Sequence, residues 1–185
     1  FSGYYVDADA SIRDWLIFLP GGLPCFDFES CQGLASGSGT SKNSAKNIPR
    51  LTPRAGWLNS NCTENPELCN FNAAIIMHCD GDAYSGRLEG PSAILQGFYF
   101  TGALNVEAAI DELFFKYGLN KARRVFVLGT SAEGLAIISH ADALAARFKD
   151  TNAIVRFAAD SSWFVNAPSA IKGRPSLFEV ALMGA

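Results

Sequence analysis

The chain has 185 residues, 49% of them hydrophobic, and a formal net charge of -3. That is enough material for one domain with its own core, and too apolar a composition for intrinsic disorder. The charge offers no footprint for nucleic acid: Lys121, Arg123 and Arg124 read as a solvated loop ahead of an apolar run. No apolar stretch reaches the roughly 20 residues that cross a bilayer, so no membrane span is expected.

In chain order, Trp15 to Leu19 is a short apolar run stopped by Pro20-Gly21-Gly22, a buried strand feeding a glycine-rich turn. Residues 33–47 are serine, glycine, lysine and asparagine without apolar periodicity, which predicts an exposed, flexible loop. Ala73 to His78 repeats the strand pattern. Val106, Ile110, Leu113, Phe114 and Tyr117 recur at helical spacing before Gly118, predicting a helix from Ala103 to Tyr117. Arg124 to Leu128 reads as a strand, Ala132 to Phe148 as a helix and Ala153 to Ala159 as a strand. This alternation implies parallel strands joined by right-handed crossovers, an α/β sheet with helices on both faces, and a single domain over residues 1–185.

Five cysteines, Cys25, Cys31, Cys62, Cys69 and Cys79, fall early in the chain. Neither Cys25 and Cys31 nor Cys62 and Cys69 has the CxxC spacing or histidines of a zinc site, so two local disulfides are the better reading. Cys79 is left over, either a free buried thiol or the partner of a segment outside this chain. Asn61-Cys62-Thr63 is a glycosylation sequon, in keeping with an oxidising, secretory route.

In parallel sheets chemistry gathers at the carboxyl ends of the strands. Three segments are expected there: Leu19 running into Gly21-Gly22, His78 into Cys79-Asp80-Gly81, and Leu128 into Gly129-Thr130-Ser131. The last is a buried strand turning into a helix, the setting of a nucleophile elbow with Ser131 Oγ above the sheet. The Ala132 amide then donates to an oxyanion, with Gly22 and Leu23 in place for the remaining donors.

Leu19-Pro20-Gly21-Gly22-Leu23-Pro24-Cys25 resembles the glycine-rich oxyanion loop of the pectin acetylesterase and Notum family. Glu64-Asn65-Pro66, His78-Cys79-Asp80-Gly81 with Ser85-Gly86, Gly129-Thr130-Ser131-Ala132-Glu133-Gly134-Leu135, His140-Ala141-Asp142 and Asp160 to Phe164 follow in that family's order. The resemblance implies the N-terminal portion of a secreted α/β-hydrolase that removes acyl groups from oxygen, acting on an acylated polysaccharide or an acylated protein through an acyl-serine intermediate. It implies no metal or organic cofactor. It also places the triad aspartate and histidine well downstream of the serine, beyond the residues that follow Ser131 here, so a C-terminal part of the same protein is an expected partner. The ending at Met183-Gly184-Ala185 carries no stop signal and reads as a fragment's.

Two histidines lie within the chain. His140 is too far along its helix to reach Ser131, and His78, where the family has an aromatic residue, reads as packed or surface rather than as a base. Asp160 reads as pocket or loop structure. Three departures bear on activity. Leu23 replaces a tryptophan and Ser162 a glycine. Glu133 stands where the elbow carries a glycine, which suits an acid at a helix N-terminus. A carboxylate about 6 Å from an oxyanion, at an effective dielectric of about 20, would instead raise its energy by about 3 kcal/mol. A non-catalytic member with a binding or structural role is therefore the alternative to an active esterase.

Overall fold

The computed structural model describes residues 3–22, 24–25, 27–36, 54–94, 96–163, 167–168 and 173. Among the described residues five strands, β1 (Tyr4–Asp7), β2 (Asp14–Leu19), β3 (Asn72–Ile76), β4 (Arg124–Thr130) and β5 (Ile154–Asp160), form one sheet in the order β1-β3-β2-β4-β5. Strands β3, β2, β4 and β5 are parallel, and only β1 is antiparallel. The helices are α1 (Phe28–Ala35), α2 (Gly102–Lys116) and α3 (Glu133–Arg147).

Alternation along the strands separates two cores. Trp15, Ile17 and Leu19 of β2, with Val125 and Val127 of β4, meet Val106, Ile110 and Leu113 of α2 and Ala136, Ile137 and Leu144 of α3. Leu16, Ala73, Ile75 and Leu128 face the other way onto Leu58, Leu68 and Phe71. The two long helices thus share one face, and the segment around 54–71, with a single 3-10 turn at Gly56–Leu58, helps close the other. Gly118 follows α2 in the left-handed conformation, at φ 78°, which a glycine adopts without steric cost.

Asp14 ties the start of β2 to that of β4. Its carboxylate accepts from Arg123 Nε at 3.0 Å and Arg124 Nη2 at 2.7 Å, and the two guanidinium groups hold it well below the usual carboxylate range.

Two elements were not legible in the sequence. Tyr4–Asp7 is a four-residue edge run with no alternation to mark it. Helix α1 follows Asp27, whose side chain accepts from Ser30 N while Ser30 Oγ accepts from Asp27 N, a reciprocal cap within the Cys25 to Cys31 segment. The expected loop over 33–47 begins differently: Gly33 to Ala35 complete α1, Ser36 caps it, and 37–47 lie outside the described residues. Cys25 is joined to Cys31 and Cys62 to Cys69, while Cys79 forms no disulfide.

Candidate functional site

Parallel β2, β3 and β4 bring their carboxyl ends to one edge, carrying Gly21-Gly22, His78 to Asp82, and Ser131 together. Ser131 sits at φ 59°, a left-handed conformation that costs a non-glycine residue about 1–3 kcal/mol. The turn is held from behind: Ser131 N–H donates to the Asp160 carbonyl at 2.9 Å and Gly134 N–H donates to the Ser131 carbonyl at 3.1 Å. The glycine loop lies directly over it, because a Cβ on Gly21 would stand 3.3 Å from Ser131 Cβ, and Gly21 N–H donates to Thr130 Oγ1 at 3.1 Å.

The elbow glycines have distinct tasks. A side chain on Gly129 would collide with the carbonyl of Glu133 and with Ile137, so α3 rests on β4 at this point. A side chain on Gly134 would overlap Ser162, which fits only because position 134 is bare. Close helix-to-strand packing is therefore already present with Glu133 in place. Nor does Glu133 face water as an ordinary first-turn acid would: it is fully buried.

Glu133 Oε2 accepts from Gly22 N–H at 2.8 Å, the amide expected to serve an oxyanion. Its other oxygen lies 3.5 Å from His78 Nδ1. Burial pushes the Glu133 carboxyl up, against the pull of His78 and of the Gly22 and Glu133 amides. A Cβ on Gly22 would come within 2.8 Å of His78 Nδ1 and 3.2 Å of Glu133 Oε1, so only glycine fits between them.

His78 is the centre of a buried polar cluster that sequence reasoning missed. Asp80 Oδ1 and Asp82 Oδ1 each lie 3.8 Å from its Nε2, too far for a hydrogen bond. Nε2 accepts from Ala83 N–H at 3.1 Å, which places the imidazole proton on Nδ1, facing Glu133. Burial alone would push His78 down, but the carboxylates of Asp82, Glu133 and Asp80 outweigh it and hold it above its ordinary value. Asp80 is pushed up to about 7 by burial and by Asp82 beside it. The second oxygens of both aspartates receive the start of α2, Asp80 from Thr101 N–H at 2.9 Å and Asp82 from Gly102 N–H at 2.7 Å. The alternating His-x-Asp-x-Asp spacing after a strand was the available signal, but it reads equally as a turn.

The remaining predicted residues fall as follows. Leu23 lies outside the described residues. Ala132 is the residue before α3, at the turn. His140 is buried with Nε2 2.6 Å from the Tyr84 carbonyl, away from any proton of Ser131. Asp160 supports the elbow through its backbone, and its side chain accepts from Trp57 Nε1 at 3.4 Å. Asn61 is exposed; its Oδ1 accepts from Thr63 N–H at 3.0 Å and its Nδ2 donates to Glu64 at 3.2 Å.

A mostly parallel sheet with a serine at a strained strand-to-helix turn beneath a glycine loop defines an α/β-hydrolase-like protein. A family model described as pectinacetylesterase matches residues 1–178. The chain belongs to the pectin acetylesterase and Notum family. It is 31% identical over 168 residues to palmitoleoyl-protein carboxylesterase notum1a of Danio rerio, covering 89% of this chain and 33% of that protein. It is 32% identical over 177 residues to pectin acetylesterase 5 of Arabidopsis thaliana, covering 94% and 39% respectively. The fold matches the structure of the Wnt deacylase Notum from Drosophila with a TM-score of 0.81 at 26% identity, covering 99% of this chain and 55% of that one. The chain thus spans a third to two-fifths of these curated relatives.

Proposed function

We propose that this chain is the nucleophile-bearing part of a secreted serine carboxylesterase that cleaves O-acyl esters, acetyl from a polysaccharide or a longer acyl group from a protein. The observation that carries the reading is Ser131, held at φ 59° where β4 turns into α3 under the Gly21-Gly22 loop. In this reading Ser131 Oγ attacks the ester carbonyl, and the amides of Ala132, Gly22 and Leu23 receive the oxyanion. A histidine downstream, where the family resemblance places it, takes the serine proton and returns it to the leaving group, while a downstream aspartate orients the imidazole and stabilises its charged form. Two disulfides favour an oxidising compartment, and Asn61 is accessible to glycosylation.

One observation favours the alternative, a non-catalytic member with a binding or structural role: the Gly22 amide is already satisfied by a buried carboxylate. Hydrolysis of short-chain and long-chain nitrophenyl esters by the full-length protein decides between them. The esterase reading expects turnover that falls at least a thousandfold in Ser131→Ala. Absence of turnover with both chain lengths, or turnover that survives the substitution, overturns it.

A further inference from the structure

Each of the three carboxylates around His78 uses one oxygen on a backbone N–H and leaves the other buried without a hydrogen-bond partner: Asp80 Oδ1, Asp82 Oδ1 and Glu133 Oε1. The side chains carrying them are 9%, 5% and 0% exposed, so water does not solvate them as it would on a surface. All three orphaned oxygens converge on one imidazole. With Ala83 N–H on Nε2, that ring has a single proton to give, and it faces Glu133. Asp80, pushed up by burial and by Asp82, can hold a proton between the two aspartates, and even then an imidazolium would leave Asp82 and Glu133 facing one positive charge. Buried charge of that kind is retained where something cationic offsets it.

We infer that His78 Nε2, Asp80 Oδ1 and Asp82 Oδ1 bind one divalent transition-metal ion, with Glu133 orienting the imidazole through Nδ1. The three ligand atoms lie within 4.8 Å of one another. Ligands about 2.0–2.2 Å from a tetrahedral ion stand roughly 3.4 Å apart, so the 3.8 Å separations from Nε2 close by a few tenths of an ångström. The ion takes the Nε2 lone pair, and the Ala83 amide turns away to release it. Glu133 then acts as the carboxylate that metal-bound histidines commonly engage with their other nitrogen. One imidazole and two carboxylates suit zinc or manganese, whereas calcium and magnesium favour sites made of oxygen alone. The inference does not rest on the esterase reading, since the site uses neither Ser131 nor the triad histidine and aspartate expected beyond this chain.

The experiment is metal titration of the chelator-treated protein, followed by calorimetry and thermal unfolding. One zinc ion per chain is expected, with a rise in Tm of about 5–10 °C at a hundredfold excess over Kd. Calcium and magnesium at the same concentration should leave Tm unchanged. His78→Gln and Asp82→Asn should each weaken zinc binding tenfold or more. If those variants do not fold, cobalt in the unsubstituted protein decides, with visible bands of a nitrogen and oxygen ligand set expected. No bound ion, zinc affinity unchanged in His78→Gln, or a thiolate-to-cobalt charge-transfer band from Cys79 would overturn the inference.

Discussion

Glu133 decides more about this site than its position in the first turn of α3 suggests. A carboxylate some ångströms from an oxyanion acts through its field alone, but here it holds the Gly22 amide, one of the donors proposed for the oxyanion. Loss of a single oxyanion donor costs serine hydrolases roughly a hundred- to a thousandfold in rate. Glu133→Gly in the full-length protein should therefore raise kcat on a short acyl ester by about ten- to a hundredfold, with little change in KM, because both the freed amide and the removed charge act on the transition state. Glu133→Gln keeps an acceptor on Gly22 and removes only the charge, so it should gain less. Steady-state kinetics of the three proteins separates the contributions; identical rates would show that Glu133 leaves Gly22 during turnover and does not restrain the site.

At the scale of elements, α3 is positioned by what its neighbours lack. Position 129 of β4 and position 134 of α3 are bare, letting the helix rest against β4 and against Ser162 after β5. The sequence marked Ser162 as a departure from the family's glycine, and the structure shows why it is tolerated: its hydroxyl donates to the Asp160 carbonyl at 2.8 Å and fills the space beside Gly134. Gly134→Ala should then cost about 2–3 kcal/mol in urea unfolding through overpacking. Adding Ser162→Gly should recover most of that loss, a favourable coupling that a double-mutant cycle measures. Additive losses would mean that α3 shifts away from β5 instead of clashing with Ser162.

For the molecule as a whole, neither histidine of this chain is placed to activate Ser131. His140 is held on the Tyr84 carbonyl, and His78 is occupied by Ala83 and Glu133. The 185-residue chain should consequently resist labelling by a fluorophosphonate probe, measured by intact mass; labelling lost in Ser131→Ala would identify His78 as a base after all. By itself the sequence determined the alternation of β2, β3, α2, β4, α3 and β5, since apolar periodicity and glycine stops are local properties that survive without tertiary contacts. It also marked Ser131, Gly22 and Ala132, because a strand-to-helix turn and a glycine loop are written in consecutive residues. Only the tertiary structure decided the fate of Glu133 and the cluster around His78. Residue 133 meets Gly22 and His78 because parallel β2, β3 and β4 end at one edge, and no local pattern encodes which buried oxygens are left without partners there.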